Sequence, residues 1–312
     1  QEILEALEVV AHDAIDEAEQ IADLLGQAAR HVGEAERHPR RVLAERFERR
    51  PGAEPPRRAL APLVAGRRVV EADAHPSTKF SSAVEAIGTR FEGVSRRGKY
   101  LLFELDDGRR LVAHLGMTGR FQLRTPEAED DAYVRAWWAL DDGQVLEFRD
   151  VRRFGRLAVV GDDLSALPTL AALGPEPFDA AFTDEHLWQA VRSSSVRVKT
   201  QLLSQRPVAG VGNIYADEAL WRAGVHPGAR RLSRPAAARL RRAVVEVLAE
   251  GIDHGGTTLR DYRTVDGGTG TNQPRLDCYG RSGEPCRRCG TTLRRRVLDG
   301  RSTTWCPACQ RR

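Results

Sequence analysis

Twice in its middle third the chain repeats one pattern: a short apolar run, an acidic turn, a second short apolar run. Residues 100–105, the turn Asp106-Asp107-Gly108 and residues 110–115 form the first copy; 134–140, Asp141-Asp142-Gly143 and 144–148 form the second. Runs of this length around Gly-containing turns are hairpin strands. With no helical pattern between them they predict an antiparallel sheet or sandwich, whose strand signals begin near Val64. Residues 164–182, interrupted by Pro168, Pro175 and Pro177, read as an interdomain connection. Beyond it the apolar spacing turns helical and predicts helices over 184–193, 196–205, 214–223 and 235–250. The third is closed by Gly224 and Pro227, and Ser233 is placed to cap the fourth. Residues 1–30 carry a heptad stripe, Leu4, Ala11, Ala18 and Leu25 beside Leu7, Ala14, Ile21 and Ala28. That predicts an acidic amphipathic helix, docked on its own protein or on a partner helix. From about Ala29 to Pro56 the sequence is rich in Arg, Glu and Pro and reads as a linker.

These changes of pattern divide the 312 residues into an extension, 1–56, a sandwich domain, 57–165, a linker, 166–182, a helical domain, 183–275, and a C-terminal unit, 276–312. With 41% hydrophobic residues the chain can bury a core. No run approaches the roughly 18 apolar residues of a membrane span and no leader pattern opens the chain, so a soluble intracellular protein is expected. Gln1 stands where a start is expected, so the true start is either missing or processed. The net charge of +4 conceals an asymmetry, because residues 1–29 hold eight acids and no Lys or Arg, leaving about +12 on the remainder. A polyanionic partner is expected. Arg outnumbers Lys 45 to 3, so Lys79, Lys99 and Lys199 are each candidates for a specific task.

Cys286-x-x-Cys289, sixteen residues, then Cys306-x-x-Cys309 has the spacing of two knuckles supplying four thiolates to one tetrahedral zinc. With no further ligand in the pattern the zinc is structural, substituting for a core that so short a segment cannot build. Cys278 lies outside the pattern. Eight arginines and a single acid, Asp299, fill residues 286–312, which suits phosphate contacts or, at Arg311 and Arg312, a solvated tail. Gly210-Val211-Gly212-Asn213 precedes the third helix; Asn213 can cap it, and the first-turn N–H groups fit either an ordinary turn or an anion site. Met117, the only methionine, stands between Gly116 and Gly119 after the first hairpin, either as a core side chain or as an apolar wedge between bases. The second hairpin runs into Arg152-Arg153-Phe154-Gly155.

Taken together these residues resemble the formamidopyrimidine-DNA glycosylase and endonuclease VIII family from about Arg57 to Gln310. The resemblance is carried by Arg-Arg-Gly-Lys-Tyr-Leu-Leu at 96–102, His-Leu-Gly-Met at 114–117, Arg-Arg-Phe-Gly at 152–155 and Leu-Gly-Pro-Glu-Pro at 173–177. Gly-Val-Gly-Asn-Ile-Tyr-Ala-Asp-Glu at 210–218 and Tyr-Gly-Arg-x-Gly-x-Pro-Cys at 279–286 complete it. It implies an α+β multidomain fold: an antiparallel β-sandwich, a helix, two-turn, helix domain, and a C-terminal zinc-finger β-hairpin. It also implies base-excision repair of oxidised bases in duplex DNA, by base flipping, excision and cleavage at the abasic site, with a monomer acting in the cytoplasm on the nucleoid.

Carried over by position, Lys99 matches the lysine that contacts phosphate and assists proton transfer in elimination. Met117, Arg152 and Phe154 match the side chains that fill the void left by the flipped nucleotide. Gly212 and Asn213 match the phosphate clamp, Lys199 the lysine of the preceding helix, and Arg301 the zinc-finger arginine at the phosphate beside the lesion, assigned to the second elimination. The pattern departs from the family at three places. Residues 51–56 read Pro-Gly-Ala-Glu-Pro-Pro where the family has Pro-Glu-Leu-Pro-Glu with a nucleophilic terminal amine, Ser195 replaces a basic residue, and the capping loop at 267–273 lacks its aromatic. A misjoined upstream segment and a degenerate paralogue both explain the first departure. The alternatives are therefore a catalytically inactive binder of lesions or abasic sites, recruiting a partner through its acidic N-terminal helix, and a zinc-ribbon RNA-binding protein.

Overall fold

The computed structural model describes residues 55–125, 131–254 and 272–311; the acidic helix expected at 1–30, most of the linker after it and most of the 267–273 loop lie outside the described residues. Helix α1, Pro55–Val64, lays Leu60 and Val64 on the sandwich core, 1% and 0% exposed. Eight strands follow: β1 Val69–Ala74, β2 Phe91–Arg97, β3 Tyr100–Leu105, β4 Arg110–His114, β5 Gly119–Arg124, β6 Val134–Leu140, β7 Val145–Asp150 and β8 Arg156–Val160. They form two antiparallel four-stranded sheets, ordered β1-β6-β7-β5 and β2-β3-β4-β8. Both expected hairpins, β3-β4 and β6-β7, are present. The inner faces meet in an aromatic core in which the Phe121 ring lies 5.0 Å from Phe103 and 5.1 Å from Phe148, and such contacts add to the burial itself.

Strand β3 is buried at nearly every position instead of alternating, because its outer face is covered too. Tyr100, Leu102 and Val112 pack under Leu170 of the short helix α2, Pro168–Ala171. The Pro-rich connection is thus a packed strap. Four more helices make the second domain: α3 Asp184–Arg192, α4 Val198–Leu203, α5 Asn213–Ala223 and α6 Arg234–Asp253. Ser233 caps α6 as expected, its side chain accepting from the Ala236 N–H at 3.3 Å. The finger hairpin pairs β9, Arg294–Leu298, with β10, Arg301–Trp305, around Asp299 and Gly300, both in the left-handed region that a tight two-residue turn needs. No described helix is long and apolar enough to cross a membrane.

Candidate nucleic-acid interface and metal centre

Strand register gathers three loops at one end of the sandwich. In one sheet Tyr100 pairs with His114 and His114 with Arg156; in the other Gly119 pairs with Asp150. The turn Gly98-Lys99 and the loops 115–118 and 151–155 therefore share an edge. Met117 is half-buried there, Arg152 is exposed with its guanidinium 4.7 Å from the centre of the Phe154 ring, and Phe154 is half-buried. The two loops touch so closely that a Cβ on Gly116, at φ 62°, would lie 2.5 Å from the Phe154 carbonyl carbon. Burial, then the charges of Lys99 and Arg156, hold His114 well below its ordinary pKa. Its neutral ring accepts the Gly116 N–H at Nδ1, 3.0 Å, and so shapes the methionine loop.

Lys99 is fully enclosed, 0% exposed, at the point where the sandwich meets the helical domain. Gly98 ahead of it has φ 55°, and an added Cβ would sit 2.7 Å from the Leu173 side chain and 3.6 Å from Ala209, so glycine is favoured at the seam. Glu176 closes the seam, accepting from Arg96 at 2.6 Å, Arg97 at 2.9 Å and the Gly98 N–H at 2.7 Å. Burial opposes its charge, but the Arg96 guanidinium, the Gly98 N–H and the two arginine hydrogen bonds outweigh it and hold the carboxyl below its usual range. Across the seam Gln205 takes the Gly210 N–H at 2.9 Å, which fixes the turn before α5.

That turn corrects one expectation. Gly212, not Asn213, occupies the cap position of α5 with φ −109° and no side-chain cap bond. Asn213 is the first helical residue, 7% exposed, and its buried Oδ1 accepts no hydrogen bond among the described residues. Lys199, expected at a DNA phosphate, is likewise turned inward. It is 1% exposed, and its ammonium meets Asp217 at 2.8 Å, the Ser302 carbonyl at 2.7 Å and the Thr303 hydroxyl at 3.0 Å. An ammonium so enclosed ties α4 and α5 to the finger. Arg301 opens β10 with 8% exposure, and the hairpin tip beside it is held when Asp299 accepts from Arg197 and Thr200 at the start of α4. The six residues of α4 span about 9 Å, so the Lys99 turn and the Arg301 hairpin are held at opposite ends of one short helix.

The finger is seated by two further acids, which the sequence pattern marks only as members of the 210–218 motif. Glu218 accepts the N–H groups of Asp277, Cys278 and Tyr279 at 2.9, 2.8 and 2.7 Å, and Asp217 accepts that of Thr304 at 2.8 Å. Burial raises both carboxyls, Asp217 to about 6 in spite of Lys199. An acidic pair amid the small and apolar residues of a helix front was the available signal. The ligand atoms of Cys286, Cys289, Cys306 and Cys309 lie within 4.8 Å of one another. Thiolates around one zinc at 2.3 Å stand roughly 3.8 Å apart, and Cys289 and Cys306 are 3.5 Å apart. The Trp221 indole N–H and the Cys309 N–H point at the Cys286 and Cys306 sulfurs, each at 3.4 Å, as donors to thiolates. The four residues fit a closed structural zinc site. Cys278 stays outside it, bonded through sulfur to the Thr304 carbonyl at 3.2 Å.

Three family models match in chain order. They are the formamidopyrimidine-DNA glycosylase N-terminal domain at residues 51–157, the formamidopyrimidine-DNA glycosylase H2TH domain at 173–263, and the zinc finger found in FPG and IleRS at 283–312. The formamidopyrimidine-DNA glycosylase of Thermus thermophilus is 46% identical over 265 residues, which is 83% of this chain and 97% of that protein. The crystal structure of the MutM (Fpg) protein of that organism superposes with a TM-score of 0.75, covering 81% of this chain and 95% of the other. A complex of the Lactococcus lactis Fpg with abasic-site-containing DNA, 33% identical, gives 0.75 over 82% and 97%.

Proposed function

The chain belongs to the formamidopyrimidine-DNA glycosylase family, and from that premise we propose that it is a base-excision repair enzyme, a DNA glycosylase and abasic-site lyase acting on oxidised bases in duplex DNA. The observation that carries the reading is the gathering of the Lys99 turn and the 115–118 and 151–155 loops along one edge. Flipping a nucleotide leaves a hole that must be filled while the extruded base is held. Met117 enters as the apolar wedge, Phe154 stacks, and Arg152 offers donors to the estranged base. Gly212, Asn213 and the first turn of α5, which no side chain caps, hold phosphate on one side of the lesion, and Arg301 holds it on the other. Lys99 moves the proton in the elimination step, and Arg301 neutralises charge on the leaving phosphate. Zinc keeps the finger folded and takes no part in the chemistry. Lys199 acts on DNA only through the finger it anchors. The protein works as a monomer in the cytoplasm, on the nucleoid, with residues 1–30 as the contact for any protein partner.

Borohydride trapping on an abasic duplex, followed by peptide mapping of the adduct, tests this reading and identifies the attacking amine. A covalent adduct with strand cleavage supports it. The sequence of residues 51–56 favours one alternative, a lesion-binding protein without catalysis, because it departs from Pro-Glu-Leu-Pro-Glu. Tight binding of abasic duplex with neither adduct nor excision is the outcome that selects that alternative. Equal affinity for intact and abasic duplex overturns both.

A further inference from the structure

Asp150, at the end of β7, is 0% exposed, and its two carboxylate oxygens are divided between two loops. Oδ1 accepts the Thr118 hydroxyl at 2.5 Å, and Oδ2 accepts the Gly155 N–H at 2.7 Å. A carboxylate can only accept, so the threonine proton points at Asp150 and leaves the Oγ1 lone pairs for the Arg152 N–H, at 2.9 Å. The backbone of Asp150 is itself fixed, its N–H to the Tyr133 carbonyl at 2.9 Å and its carbonyl to Arg135 Nε at 2.8 Å. Met117 and Phe154 are therefore each one residue from a group bonded to this carboxylate, and Arg152 is tied to it through Thr118.

We propose that Asp150 is a positioning residue that couples the methionine loop to the arginine-phenylalanine loop through Thr118, so that the three wedge side chains enter a DNA void as one unit. The proposal rests on the glycosylase reading of this end of the sandwich. Its physical basis is that moving either loop away from the fixed Asp150 leaves a buried carboxylate oxygen or the Arg152 N–H without a partner, which is costly, so both loops keep one arrangement about the same carboxylate. Contact between Gly116 and the Phe154 backbone adds a steric reason for that arrangement.

The test uses the full chain and compares binding to a duplex containing a tetrahydrofuran abasic analogue with binding to the same duplex intact. Thr118→Val keeps the shape and removes both hydroxyl bonds, and Thr118→Ser keeps both. Asp150→Asn, with its oxygen kept by the Gly155 N–H, puts an amide N–H where Thr118 donates, so the hydroxyl loses its acceptor and its oxygen must take the amide N–H beside the Arg152 N–H. Thr118→Val and Asp150→Asn should each lower the preference for the abasic duplex about tenfold. Affinity for intact duplex, which rests on phosphate contacts, should be unchanged. Thr118→Ser should keep the preference, and the double variant should be no worse than either single one, the sign of one coupled unit. Additive losses, or a Thr118→Val protein that keeps its preference, overturn the coupling while the glycosylase reading stands. A wild-type chain with no preference overturns that reading itself, and the wedge with it. Should Asp150→Asn fail to fold, the two Thr118 variants carry the comparison.

Discussion

The helical domain is joined to the sandwich on one side and to the finger on the other. Each joint is a buried carboxylate that takes backbone N–H groups from the neighbouring module. At the sandwich joint Glu176 also has two guanidinium groups, and its carboxyl lies below the ordinary value of 4.5. At the finger joint Glu218 takes three N–H groups with the Asp277 carboxylate nearby, and burial raises it. Asp217 is raised to about 6 although Lys199 faces it. The difference teaches that a buried acid keeps its charge when cations stand against it in number, and that amide donors alone do not outweigh desolvation. Their linkage to pH has opposite sign. Glu176 contributes stability that is fully present above about pH 4.5 and is lost as the pH falls through its lower folded value. Asp217 binds its proton more tightly in the folded state, so its contribution weakens as the pH rises from 3.8 toward about 6.

Removing zinc breaks the comparison most severely. The finger's apolar cluster is small, Trp221, Cys278 and Leu293 beside the ligands themselves, and metal supplies about 10–16 kcal/mol in comparable zinc-finger peptides. Native mass spectrometry should find one zinc per chain. Chelation or Cys306→Ser should expose the finger amides to rapid hydrogen exchange while the sandwich and the Glu176 joint stay protected. Next, Lys199→Met strands the Asp217 charge and should cost about 3–5 kcal/mol at pH 7. The melting deficit should shrink as the pH falls toward 5 and Asp217 takes up a proton; a deficit that grows on acidification contradicts the assignment.

Glu176→Gln should cost about 1.5–3 kcal/mol in urea unfolding at pH 7. The gap to wild type should close as the pH falls well below 4.5, where Glu176 itself is protonated. The smallest effect is expected for Arg301→Ala, and it is read on DNA binding. It should weaken duplex binding and flatten the salt dependence by about one unit of slope, whereas Met117→Ala should lose mainly the preference for an abasic over an intact duplex. Both are read by fluorescence anisotropy across a salt series.

Much of this architecture is local and therefore legible in the chain. The β3-β4 and β6-β7 hairpins follow from Asp-Asp-Gly turns between short apolar runs, and Ser233 caps α6 because a cap bond reaches only three residues. The four cysteines declare themselves by spacing, since a knuckle is also local. Asn213, expected as the cap, stands one position past it, because the turn offers more than one possible cap and only the backbone path through Gly210 and Gln205 selects Gly212.

What the sequence determined alone was the set of modules, their order and the metal ligands, each specified by contacts within a few residues. Tertiary structure decided the tasks of the buried charges. Glu176 reaches Gly98 across 78 residues, Asp217 reaches Thr304 across 87, and Asp150 reaches Thr118 across 32. Lys199 changed from an expected phosphate contact to an internal strut for the same reason. A charged side chain has the same sequence signature at a surface as in a seam. Only the fold decides which partners stand within about 3 Å of it and whether water is excluded from between them.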